Sequence, residues 1–390
     1  MSGMSGMSGM NEDRGPQGAH PMIANPSHDE MVEQLFVRDL KVMVNQQLEP
    51  VQRKIATALT AGQDHATAND PVGDLRDRMM RFETFKTWLS LKRESQRQLW
   101  SAVGTSVARQ ADDLAARAAA APPLGSLTLD PEFQAPAYVV DADIHLMPGG
   151  NALDDGGVLQ GAVMDRGGAV FMLGRNGGML NDLRGHTALA HVRTRFPDIE
   201  PARILDLGCG IGTSTVPATT WFPQAEVHGV DVGASMLRYA HARARHLGGA
   251  VHFSQQSAER TNFPDASFDV VYSCVVLHET SQAGAANILA ESRRLLRPGG
   301  VAVHLEVPLL HTFGELWEEV SAELEAEFNN EPYWRGALSA DYDALMRTAG
   351  FTDVQSGYQS TAFAGPASPL HFGPTSDGVF RSWFVTSGRA

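Results

Sequence analysis

From Asp29 onward the apolar residues recur at spacings of three and four: Val32, Leu35, Phe36, Leu40, Met43, Val44 and Leu48, then Val51, Ile55 and Leu59 beyond Pro50. That period puts them on one stripe of a helix. Pro50 has no amide hydrogen, so it is expected to kink the helix or to open a second one. After a turn-forming stretch at 62–73, helical spacing resumes from about 75 to 121, with Met79, Phe82, Phe85, Trp88, Leu89, Leu99, Trp100 and Val103 on the apolar side. Pro122, Pro123 and Gly125 stop it, and residues 29–125 read as a helical domain that dimerises or caps a site. Ahead of it, three Met-Ser-Gly repeats and a polar run rich in Pro and Gly offer almost nothing to bury, so residues 1–28 read as a disordered leader.

Residues 126–201 are dense in glycine between Gly149 and Gly174 and read as an irregular connector or lid. From Ala202 short apolar runs alternate with helical stretches. Residues 203–207, 226–230, 251–255, 268–273 and 301–306 read as strands, and 213–221, 235–246 and 283–296 as helices. Such alternation predicts an α/β domain over 202–390, with a mainly parallel sheet and ligands at the carboxyl ends of its strands. Residues 351–359 and 379–386 fit two closing strands.

Composition narrows the partners. With 43% hydrophobic and 19% charged residues the chain can bury a full core, and its net charge of −14 argues against a surface built to grip nucleic acid or a membrane. Between Arg76 and Arg117 the sign reverses, with nine basic residues against five acidic; a solvated helix face or a patch facing an anionic ligand or partner explains this. Two cysteines, Cys209 and Cys274, cannot build a disulfide framework or a four-thiolate zinc site. No run of 18 apolar residues and no signal-peptide core is present, so a cytoplasmic protein is expected.

The segment Asp206-Leu-Gly-Cys-Gly-Ile-Gly212 carries the chemistry. A strand ends in alternating glycines that let the backbone approach a ligand, and a helix opens just beyond. The third glycine comes one residue too early for a dinucleotide fingerprint, and the acid at Asp206 suits a ligand bearing an ammonium group. Asp231 ends the next strand, where a carboxylate can accept hydrogen bonds from a ribose diol.

Together with Gly229-Val-Asp231-Val232 and Met236, Gln256-Ser-Ala-Glu259, Phe263-Pro264-Asp265, Leu277-His278-Glu279 and Leu296-Arg-Pro-Gly-Gly300, this motif resembles the class I S-adenosylmethionine (SAM)-dependent methyltransferases, in particular the UbiE-like group acting on small molecules. The resemblance covers about half the chain, from Ala202 to the end. It implies a seven-stranded, mostly parallel Rossmann-like sheet whose last strand is antiparallel. It also implies Gly208, Gly210 and Gly212 against the cofactor, Asp206 orienting its amino-acid end, Asp231 on the ribose, and Val232 and Met236 on the adenine. Ser257 and Ala258 fall at the adenine edge; the family often carries an acid where this chain has Ser257, so Ser257, Glu259 or a backbone carbonyl is left to meet the adenine amino group. The segment before the first strand often closes over the cofactor in such enzymes, which offers Arg175 to the cofactor carboxylate.

Three candidates carry proton chemistry. His278 and Glu279 follow the fourth strand of the domain, beside the expected methyl group, and histidine titrates near neutrality. An extended 138–145 segment would put Asp141, Asp143 and His145 on one face; no metal is assigned to them. Tyr138, with Trp317, Tyr333 and Trp334 from an insertion at about 308–338, would line a substrate pocket. The expected function is methyl transfer to oxygen or carbon of a small organic molecule by a homodimer. A SAM enzyme catalysing a non-methylating reaction, or a dimeric scaffold, is the alternative.

Overall fold

The computed structural model describes residues 19–62, 69–171, 178–307, 315–363, 370–378 and 380–390. The alternation after Ala202 becomes a sheet of strands β1 (Ser126–Thr128), β2 (Arg203–Leu207), β3 (Glu226–Asp231), β4 (Val251–Gln255), β5 (Phe268–Cys274), β6 (Leu296–Glu306), β7 (Thr352–Ser360), β8 (Phe372–Gly373) and β9 (Ser382–Arg389). Their spatial order is β1-β4-β3-β2-β5-β6-β9-β7-β8. Every pairing from β1 to β6 is parallel, and β9 runs antiparallel to both β6 and β7. Among the described residues the sheet therefore has nine strands rather than seven. The additions are β1 and β8, one at each edge, too short at three and two residues to show any period.

The helices are α1 (His28–Met43), α2 (Glu49–Thr60), α3 (Pro71–Met79), α4 (Glu83–Ala108), α5 (Ala111–Ala119), α6 (Ala137–Val140), α7 (Leu159–Phe171), α8 (Leu183–Arg195), α9 (Val216–Trp221), α10 (Ala234–His246), α11 (Gln282–Leu295), α12 (Leu316–Phe328), α13 (Trp334–Leu338) and α14 (Tyr342–Thr348). Both faces of the central strands are covered. Ile204 packs with Leu189 of α8 and Leu237 of α10, while its neighbour Leu205 points the other way, among Ile288 and Leu289 of α11 and Met346 of α14. Double burial is why these strands read as continuous apolar runs.

Pro50 does open a helix: it lies in the first turn of α2, and the chain ahead of it widens into a π-helical turn at Val44–Leu48. Two expectations fail nearer the middle and the start. The connector is not irregular, because α7 and α8 form inside it. Its glycines had suggested a loop, yet a Cβ at Gly161 would collide with Tyr239 of α10, one at Gly167 with Trp100 of α4, and one at Gly168 would lie 2.8 Å from the Asn181 side chain. These three glycines are there for close packing. Likewise Met22, Ile23 and Ala24, within the supposed leader, are buried. Tyr239 donates to the Met22 carbonyl at 3.0 Å and Arg117 to that of Ile23 at 3.1 Å, and Ser27 with Glu30 forms a capping box on α1. Residues 1–18 lie outside the described residues.

The helices of 29–125 do not close on themselves. Phe85 and Trp88 of α4 pack on Trp317 of α12, which follows β6. The acids of α12 meet the basic stretch, Lys92 pairing with Glu325 and Arg76 with Glu327, and Arg53 of α2, ahead of that stretch, meets Glu318 at 3.3 Å and the N-cap residue Glu315 at 3.1 Å. The local excess of positive charge is thus largely answered within the chain. No helix among the described residues is long and apolar enough to cross a membrane.

Candidate active site

The carboxyl ends of β2, β3 and β5 open onto a cavity of about 430 Å³. One wall is the turn after β2. Gly208, Gly210 and Gly212 have φ of +70°, +50° and +75°, which side chains rarely adopt. Asp231 closes the turn: Oδ2 accepts the Gly210 amide at 2.8 Å and Oδ1 the Gly233 amide at 2.9 Å. A Cβ on Gly210 would meet nothing within 4 Å, so the backbone is bare toward the cavity. Gly208, Val232, Met236, Ser257 and Ala258 line the same wall.

Two expected contacts are displaced. Gly212 does not line the cavity; it faces Phe253 and Ala240, where the turn packs on α10. Asp206 is fully buried behind the turn, and its Oδ2 accepts the hydroxyls of Ser214 and Thr215, each at 2.7 Å. Burial pushes its carboxyl up to about 7. Its place is to brace the glycine turn from within. Glu259 is also taken, by the Tyr138 hydroxyl at 2.7 Å and by Asn287 at 2.8 Å, which leaves Ser257 or a backbone group at that edge. Arg175 lies outside the described residues. Arg184 of α8 lines the cavity instead, with no hydrogen-bond or ion-pair partner among the described residues.

The facing wall is built by segments far apart in sequence. His278 and Glu279 stand on a 3₁₀ turn after β5, where the Val276 and Leu277 amides donate to Glu306 at 2.9 and 2.7 Å. Glu306 also holds His278 Nδ1 at 2.6 Å, and His278 Nε2 lies 3.5 Å from Glu279. His145 approaches Glu279 from the other side, Nε2 to Oε1 3.7 Å, while its Nδ1 meets Glu331 at 2.7 Å. The extended 138–145 face does not exist: α6 and a 3₁₀ turn at Ile144–Leu146 replace it, and Asp141 and Asp143 point to solvent. His145 is held at φ +57°, its carbonyl accepting Gln96 at 2.9 Å and Trp100 at 2.7 Å.

Burial works against a charged imidazole at both histidines. The Glu306 and Glu279 carboxylates outweigh it and hold His278 well above the ordinary value; Glu331 and Glu279 raise His145 in the same way. Glu331 itself is pushed up by burial. Both histidines therefore hold a proton more tightly than a free imidazole does, each against its carboxylate partners. Of the aromatic candidates, Tyr138 and Trp334 line the cavity, Trp334 edge-on to His278 with ring centres 5.3 Å apart. Tyr333 stands edge-on to Tyr138 at 5.7 Å. Trp317 does not reach the site, since its ring fills the core between α4 and α12. Glu306 and Glu331 were missed. The first ends a strand at the ligand side of the sheet, a signal the sequence did offer; Glu331 follows an acidic helix and carries none. Cys209 and Cys274 are buried, and burial pushes both thiols up, so neither is poised to react.

The turn, the Asp231 carboxylate and the sheet order make one pattern, and residues 204–300 match the family described as methyltransferase domain. An uncharacterized methyltransferase of Synechocystis is 31% identical over 39% of this chain and 68% of its own length. The chain belongs to the SAM-dependent methyltransferases. A trans-aconitate 2-methyltransferase of Methylobacterium nodulans is 33% identical over 42% of this chain and 58% of its own. A solved SAM-dependent methyltransferase from Thermotoga maritima is 20% identical over 56% of this chain and 92% of that one, at a TM-score of 0.39 that adds nothing to the sequence match. The chain spans about half the length of the curated relatives it matches.

Proposed function

We propose that the protein transfers the methyl group of SAM to oxygen or carbon of a small organic molecule. The observation that carries this is a single cavity with the bare glycine turn and Asp231 on one wall and the His/Glu cluster on the other. Gly208, Gly210 and Asp231 would hold the cofactor's amino-acid and ribose parts, with Val232, Met236, Ser257 and Ala258 around its base. Arg184, taking the place expected of Arg175, would meet the carboxylate. Bound there, SAM supplies an activated methyl on a sulfonium, so the chain's own tasks are alignment and proton handling. Tyr138, Trp334 and the neighbouring Tyr333 give the acceptor apolar edges. Glu279, set between the His278 and His145 imidazoles, would take up the proton that the acceptor releases, with the two histidines orienting it and Glu306 fixing the His278 ring.

Incubation with SAM and a panel of small acids, phenols and quinols should yield S-adenosylhomocysteine and methylated product. His278→Ala should lower turnover by about 100-fold while SAM still binds. SAM binding without S-adenosylhomocysteine from any acceptor would favour a non-methylating SAM enzyme. The substrate class and the net charge of −14 support a cytoplasmic enzyme without nucleic-acid or membrane partners. Exposed Val32, Leu35 and Phe36 on α1 support a homodimer. A solution mass of one chain at micromolar concentration would refute the dimer.

A further inference from the structure

We propose that His145, Glu279 and Glu331 form a divalent-cation site in the cavity wall. One ligand atom from each lies within 4.8 Å of the other two, and all three line the cavity. The bonding within the cluster is incomplete. A protonated His145 has two N–H groups, and these reach only Oε1 of Glu331 and Oε1 of Glu279. Oε2 of Glu331, a residue 1% exposed, is buried with no hydrogen-bond partner among the described residues, and so is Oε2 of Glu279. Two orphaned carboxylate oxygens beside one imidazole are costly to bury, and a cation shared between them removes that cost.

The scaffold is also fixed in advance. His145 stands on a left-handed backbone whose carbonyl is clamped by Gln96 and Trp100. Two carboxylates and one imidazole make a hard-to-borderline ligand set suited to Mn²⁺, Fe²⁺ or Zn²⁺, and three protein ligands leave positions open toward the cavity. Binding would release the proton of His145 to solvent, since the imidazole must be neutral to ligate. A cation held there would meet oxygen atoms of a bound acceptor. That use rests on the methyl-transfer reading; cation binding itself does not.

The test is titration of the full-length protein, treated with chelator and without SAM, with MnCl2, following the free-ion electron paramagnetic resonance signal. One Mn²⁺ per chain at micromolar free concentration is expected, displaced by Zn²⁺. Glu331→Gln and His145→Gln should each weaken binding at least tenfold, while Glu323→Gln on the outer part of α12 should not. Circular dichroism identifies any variant that fails to fold, and the remaining one then decides. No saturable binding to the wild-type protein, or equal affinity in a folded Glu331→Gln or His145→Gln variant, would overturn the site. Because SAM is absent, neither result bears on whether SAM binds.

Discussion

Asp206 shows how one residue can belong to a ligand motif without touching the ligand space. Its carboxyl sits at about 7 because burial outweighs the two hydroxyls that bond it. The unfolded group titrates near 3.9, roughly three units lower. Its proton therefore favours the folded state at low pH, and that contribution is lost as pH rises from about 4 to 7. Asp206→Asn removes the titration and keeps the shape. In urea unfolding the variant should gain on the wild type by on the order of 1.4 kcal/mol for each pH unit across that window, then level off. A difference that stays constant from pH 4 to 8 would mean that Asp206 is ionised in the folded protein throughout.

At the scale of elements, the alternation of apolar runs and helical stretches was enough to place β2 to β5 and the helices α10 and α11 within a residue at each end, and β6 only from Val301 on, because strands buried on both faces read as continuous apolar runs while amphipathic helices carry the helical period. Helices α7 and α8 were not legible. Glycine is a poor helix former, and only the approach of Trp100 and Tyr239 explains why Gly167 and Gly161 occupy α7. A pair of substitutions separates the two meanings of glycine. Gly167→Ala should destabilise by about 1–3 kcal/mol through overpacking. Gly104→Ala in α4, where an added Cβ meets nothing within 4 Å, should stabilise by roughly 0.5–1 kcal/mol. Equal and opposite behaviour is not required, but a stabilising Gly167→Ala would contradict the packing described.

The whole molecule joins parts that the sequence keeps apart. Residues 29–125 pair their basic side chains with α12, more than 200 positions away, and His145 meets Glu331 across 186 positions. No local pattern encodes such contacts. The cofactor wall was readable because Gly208, Gly210 and Asp231 lie in short motifs with fixed spacing, whereas the facing wall gathers single residues from the connector, from the turn after β5 and from the segment after α12. His278 and Glu279 were found because they follow a strand end; Glu331 became visible only in three dimensions. The account stands on the glycine turn and Asp231 binding SAM. The direct measurement is calorimetric titration of the purified protein with SAM, repeated with Asp231→Ala and with NAD as control. Micromolar binding of SAM, lost in the variant and absent with NAD, is the predicted result. No binding of SAM to the wild-type protein, or undiminished binding to Asp231→Ala, would contradict it.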